Sequence, residues 1–310
     1  MKYILLLTTL ISFSLLARDA VEEKGACRLN WTQGYIICEG ESAEGQGSYG
    51  AKLSAKVIVQ RNMLEVIKGV QIDSQVTVED GLLSSDIIRS RVSGVVRGAQ
   101  IISNHYNSDN GSAIATAKMM MGKDLLSALL SDPNKLSWNE KIAKVWSGFS
   151  FLTTANASTY GYQDKELLNK LMQDLRDRGE KRSSQYIEGI LKDISNNIYS
   201  GIMIDVSNVS KFEKALLVNL VDSDGNEIYP ADIIDHDTLV QKNTSVGFIY
   251  GFDDARNDKR VFDKPLEIKA TSIFANRKST IVLTKEQIET IKALPSKVLS
   301  EGKIIVVLGD

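Results

Sequence analysis

The only cysteines of the 310-residue chain, Cys27 and Cys38, flank a segment, Arg28 to Ile37, that reads as a short hairpin around Trp31-Thr32-Gln33-Gly34. A two-residue loop at Thr32-Gln33 sets Cys27 opposite Cys38, whereas a bulge at Gly34 shifts that register. A disulfide there would close a loop of about 10 residues and contribute roughly 2 to 3 kcal/mol. Its condition is an oxidising compartment. The N-terminus points to one: Met1 and Lys2 give a positive start, Tyr3 to Leu16 is an apolar run broken by Thr8, Thr9, Ser12 and Ser14, and charge returns at Arg18 and Asp19. That is the pattern of a cleaved secretory signal over residues 1–17, ending at Ala17 or at an earlier cut near Ser12 and Ser14. A membrane span needs about 20 apolar residues, more than this run or any later segment offers. The expected location is the periplasm or the periplasmic face of the outer membrane, with the cysteines paired.

The remaining chain reads as α+β: two mixed or antiparallel sheet domains with packed helices, at 25–122 and 198–310, joined by a helical connector at 123–197. In the first, Tyr35 to Ser42 is a strand, and Gly45-Gln46-Gly47-Ser48-Tyr49-Gly50 leads into a helix through about Lys68. Helical spacing places Tyr49, Leu53, Val57, Val59, Met63, Leu64, Val66 and Ile67 on one broad half, with Ser54, Arg61, Asn62, Glu65 and Lys68 opposite. Val70 to Val78 alternates as a strand does; Val92 to His105 and Ala113 to Met121 are two further strands around Asn107-Ser108-Asp109-Asn110-Gly111. Strands without helices between them imply an antiparallel sheet with the helix on one face. In the connector, Lys123 to Leu130, Trp138 to Trp146 and Lys165 to Arg178 read as helices. Later strands are Gly201 to Val206, Ala215 to Val221, Glu227 to Tyr229, Ser245 to Tyr250, Leu266 to Phe274, Ser279 to Leu283 and Lys303 to Leu308, with a helix from Lys285 to Leu294.

Charge excludes one partner class: the net charge is -2 and no stretch gathers the Lys and Arg that nucleic-acid binding needs. Chemistry-bearing motifs are sparse. Gly45-x-Gly47-x-x-Gly50 matches the dinucleotide fingerprint, with Asp73 downstream as the acid. Glu39, Glu41 and Glu44 would crowd a pyrophosphate, however, and the strands that follow are not a βαβ unit, so the glycines read as a flexible helix entry. Asp222-Ser223-Asp224-Gly225-Asn226-Glu227 resembles part of a calcium loop but lacks its full spacing, which leaves a hairpin turn. Asp235-His236-Asp237 is the best acid/base or metal cluster, yet His105 is the only other histidine. No nucleophile elbow occurs. Asn30-Trp31-Thr32 is a formal glycosylation sequon inside the hairpin turn. No catalytic, cofactor-binding or metal residue is assigned, and the expectation is a protein that is not an enzyme.

Ala55-Lys56, Arg61-Asn62-x-Leu64-Glu65-x-Ile67-x-Gly69-Val70, Thr77-Val78, Val96-Arg97-Gly98-Ala99 and Gly111-Ser112-Ala113 together resemble the small outer-membrane lipoprotein family whose domain also occurs in flagellar basal-disk and outer-ring proteins. The resemblance spans roughly residues 39–122. It implies non-enzymatic assembly work among envelope proteins, including self-association into a ring and a flagellar setting. Family members are often lipid-anchored at a cysteine directly after the signal; here Cys27 lies well beyond it and follows Lys24-Gly25-Ala26, which argues against an anchor. The second domain resembles no family by its residues. A second reading, from a different class, is a periplasmic ligand- or metal-binding protein using the 222–237 region, with Asp224, Asp235 and His236 as ligands.

Overall fold

A computed structural model describes residues 18–130, 170–181, 183–185, 187–188, 199–230, 233–234, 236–262 and 264–309. The signal at 1–17, the Trp138 to Trp146 helix and Asp235 lie outside the described residues; of the third connector helix, 170–177 is described and is helical.

The chain begins with strands β1 (Arg18–Asp19), β2 (Val21–Lys24), β3 (Cys27–Asn30) and β4 (Tyr35–Glu41). β3 and β4 form the expected hairpin, and Cys27 lies directly opposite Cys38, joined to it by a disulfide with the Cα atoms 4.0 Å apart. The ladder stops at Asn30 and Tyr35, so Trp31 to Gly34 all belong to the loop, and Gly34 takes a left-handed φ of 68°. Helix α1 (Ser48–Lys68) follows, then α2 (Val78–Ser84), α3 (Asp86–Arg97), β5 (Gln100–Asn107) and β6 (Ser112–Met120). These strands make a five-stranded antiparallel sheet in the order β2-β3-β4-β6-β5, with α1 laid across β4 and β6.

Two expected strands are largely helices or turns. In Val70 to Val78, Asp73 Oδ1 accepts from the N–H groups of Gln75 and Val76 at 2.7 and 3.0 Å, folding the segment back on itself. Thr77 then starts α2 with a reciprocal capping box to Asp80. The alternation of Val70 and Ile72 serves instead to dock a distant stretch: Leu216 and Leu217 N–H donate to the carbonyls of Gln71 and Ile72 at 3.0 and 2.8 Å. In Val92 to His105, Ser85 caps α3, and Ile88, Val92 and Val96 are buried at four-residue spacing, so only Gln100 onward is strand.

A π-helical turn, Met121–Leu126, runs into α4 (Ser127–Leu130). The C-terminal half holds β7 (Gly201–Asp205), β8 (Asn219–Val221), β9 (Glu227–Tyr229), α5 (His236–Lys242), β10 (Gly247–Tyr250), α6 (Phe252–Arg256), β11 (Pro265–Lys269), β12 (Ser272–Phe274), β13 (Arg277–Val282), α7 (Lys285–Lys292), α8 (Ser296–Ser300) and β14 (Ile304–Leu308). The expected strands over Ala215 to Val221 and Leu266 to Phe274 are shorter or divided: 215–218 is outside the ladder, and β11 and β12 belong to different sheets. β10, β14, β7 and β11 run parallel, with β1 added antiparallel at the edge; β12-β13-β8-β9 is a smaller mixed sheet. The fold class is α+β, as the sequence implies.

The parallel strands are sealed on both faces, as such strands require. Ile202, Ile204, Phe248, Ile304 and Val306 join the main core, while Met203, Ile249, Ile305 and Val307 form a second cluster with Ala255 and Val261 behind them. The main core is continuous with that of the N-terminal half. The hairpin tip is part of the seam: Thr32 Oγ1 donates to Phe248 O at 2.6 Å, and the Trp31 and Phe248 rings meet edge-on at 5.7 Å. β1 extends the seam, with Arg18 over the Tyr250 ring and Asn30 Nδ2 donating to Asp19 at 2.7 Å. Deeper in the C-terminal half, the Arg260 guanidinium donates to the carbonyls of Gly302 and Thr244, and burial pulls its pKa down to about 10 against the opposing pull of Tyr229 and Asp258.

Candidate functional site

Helix α1 is apolar on two sides, and only one of them is used by the fold. Ala51, Ala55, Val59, Met63 and Ile67 face the sheet and are fully buried. Small residues predominate at one end of this stripe because the backbones approach closely: Ala113, Ala115 and Ala117 face it from β6, and a Cβ on Gly40 of β4 would run into the Val59 backbone. This corrects the sequence-based division of the helix. Tyr49, Leu53 and Val57 do not share the buried face; they are 83%, 52% and 58% exposed and follow one another at four-residue spacing along the outside.

This outer stripe leads into an open groove of about 590 Å³ between α1 and α3, whose apolar lining is Val57, Leu64 and Val96. Its polar lining includes Arg61 from α1 and Asp86, Arg89 and Arg97 from α3. Gln60 ties the two helices together by donating to Arg97 O at 3.0 Å. Arg89 is held in place by Asp86 Oδ1 at 2.8 Å and by the Leu82 carbonyl, and Arg97 Nε donates to Ser93 O at 3.2 Å. Three arginines against one aspartate leave the lining net positive. The arrangement, a partly apolar floor edged by arginines, suits binding.

The motifs singled out in the sequence lie elsewhere and are largely engaged in local structure. Gly45 and Gln46 N–H groups donate to the carbonyls of Asn110 and Gly111, both at 2.9 Å, so the glycine run clasps the β5–β6 turn with the amides a phosphate would need. Asp73 is buried in its own turn and faces the C-terminal half: the neighbouring Ser74 hydroxyl bonds Thr280 at 2.9 Å. Asp222 directs Oδ1 to the N–H groups of Asp224 and Asn226 and Oδ2 to the Asn226 amide. Desolvation pushes its pKa up, but these hydrogen bonds prevail and hold the carboxyl below its ordinary value. The 222–226 segment is thus a self-satisfied turn joining β8 to β9. His236 Nδ1 lies 3.3 Å from Asp237 at the exposed start of α5, while His105 sits on β5 opposite Ile114. Among the described residues no three His, Cys, Asp or Glu side chains gather to hold a metal ion, and none of the helices is long and apolar enough to cross a membrane. In the sequon, Asn30 is buried and its amide is bonded to Asp19 and Tyr35.

Sequence reasoning missed the groove. Arg89, Ser93 and Arg97 share one side of a helix only once 86–97 is recognised as helical, and the signal for that was the Ser85 cap followed by Ile88, Val92 and Val96.

Residues 201–310 match a family model described as Treponema pallidum Tp0624, second domain. The match begins at β7 and makes the C-terminal α+β region a separate second domain; it does not reach α1, α3 or the groove. No curated protein matches the chain. The resemblance drawn for residues 39–122 stays an expectation.

Proposed function

We propose that this is an exported cell-envelope protein that works through contacts with other proteins and performs no chemistry itself, and that the outer side of α1 with the α1–α3 groove is its contact surface. The observation that carries the reading is the exposure of Tyr49, Leu53 and Val57 in one stripe that continues into an open, partly apolar groove. The disulfide and the signal-like N-terminus support an oxidising location outside the cytoplasm. A ring assembly, flagellar or otherwise, is the setting implied by the lipoprotein-family resemblance and belongs to the same proposal. No observation favours the metal-binding alternative: among the described residues no three His, Cys, Asp or Glu side chains gather to hold an ion, and Asp235, one of its three ligands, lies outside them.

The test is light scattering on gently released envelope extracts from cells carrying the natural chain or Leu53→Glu. The natural chain is expected in a defined complex heavier than one copy, and the variant as a folded single chain. A natural chain found only as a monomer would sink the proposal.

A further inference from the structure

The groove differs from an ordinary apolar contact in its charge, and that charge describes the partner. We propose that it receives an acidic, amphipathic segment of another envelope protein, whose apolar side chains lie over Leu53, Val57 and Leu64 and whose carboxylates meet Arg61 and Arg97. The inference rests on the protein-contact reading above and adds the chemistry of the partner.

Charge complementarity carries it. The lining sets three arginines against Asp86, and that one carboxylate is already paired with Arg89. Arginine presents a planar fork that matches a carboxylate with two parallel hydrogen bonds. Arg89 is spent on the Leu82 carbonyl and Asp86, whereas Arg97 is only oriented, through Nε, by the Ser93 carbonyl, so less of its side-chain freedom is lost when a partner binds. Arg61 makes no hydrogen bond or ion pair among the described residues, which leaves its full donor set for a partner. A second copy docked on this groove by two-fold symmetry would bring a net-positive lining to both sides of the contact, which like-charge repulsion opposes. A bilayer resting on the Tyr49–Val57 stripe is the rival occupant, and a lipid adduct in the experiment below is the result that would show it.

The experiment places the photo-crosslinking residue benzoylphenylalanine at Val57 in the full chain, in living cells. A control places it at Ile114, which is 44% exposed on the sheet face turned away from α1. The expected result is an adduct from position 57 to another protein, mapped to a segment with more Asp and Glu than Lys and Arg. Its yield should fall about tenfold in Arg61→Glu/Arg97→Glu, as charge reversal at a contact requires. Both arginines are exposed, so the double variant is expected to keep the natural melting temperature. An adduct from position 57 to a second copy, to lipid, or to a neutral or basic segment would overturn the inference, as would no adduct or a yield indifferent to the reversal. Protein adducts from position 114 alone would overturn the groove while leaving the protein-contact reading; none from either position would remove both.

Discussion

In the N-terminal half a helix rests on an antiparallel sheet through alanine and glycine, with Ala51 and Ala55 over Ala113, Ala115, Ala117 and Gly40; in the C-terminal half, isoleucine and valine fill both sides of a parallel sheet. The first arrangement is close but shallow. It covers one sheet face and leaves Ile114 on the other, and it leaves Tyr49, Leu53 and Val57 outside. The second buries large side chains twice over and exposes few of them. Apolar surface free for a partner is therefore concentrated where the packing uses small residues, and hydrophobic stabilisation where it uses large ones.

That contrast can be broken most severely at Gly40. A Cβ there would lie 2.7 Å from Val59 Cα and 2.8 Å from Ala55 O, both backbone atoms that cannot step aside. Gly40→Val is expected to cost more than about 3 kcal/mol in urea unfolding, whereas Gly47→Ala, with open space around it, should lose only the roughly 1 kcal/mol or less of a weakened helix cap. The C-terminal half should fail by the opposite route. Ile304→Ala leaves a cavity in a fully buried site and is expected to cost about 2 to 5 kcal/mol in the same assay. Next in size is the staple of the N-terminal sheet: Cys27→Ser/Cys38→Ser should lose roughly 2 to 3 kcal/mol and make the melting temperature indifferent to reductant.

A pH measurement sharpens the comparison at the join. Burial pushes the Asp73 carboxyl above its ordinary value, against the hydrogen bonds from Gln75 and Val76 and the attraction of Arg277. A raised folded-state pKa favours the protonated form in the fold, so this contribution is full below the unfolded value and is lost as pH rises through the folded one. Asp73→Asn keeps an oxygen for the turn amides, and at pH 7 it should be more stable than the natural chain by up to about 1 kcal/mol, an advantage that disappears on acidification. The smallest effect on stability belongs to the exposed stripe: Val57→Asp should stay within about 0.5 kcal/mol of the natural chain while abolishing the proposed contact.

Legibility in the sequence follows the range of the interactions. The β3–β4 hairpin, the disulfide, β6 and the 222–226 turn were readable from alternation and turn residues, and β14 from its unbroken apolar run. Helix α3 was not: Val92, Val95 and Val96 are β-branched and favour strands in isolation, and burial at four-residue spacing decides otherwise. The 70–77 loop failed for a different reason, since its apolar residues alternate to meet Leu216 and Leu217 more than a hundred positions away. The groove needs two helices side by side, so no single window of sequence contains it. The broad apolar character of α1 was visible, but which part of it the sheet would claim depended on the alanines of β6.

The bond from Thr32 to Phe248 joins residues 216 positions apart, and β1 pairs with the same strand. A chain emerging from its N-terminus onward therefore presents the Trp31 tip long before its seat exists. The disulfide joins residues 11 positions apart, whereas the tip docks only where residues 247–250 are in place. The Trp31 tip thus makes the packing of the N-terminal hairpin depend on completion of the C-terminal sheet.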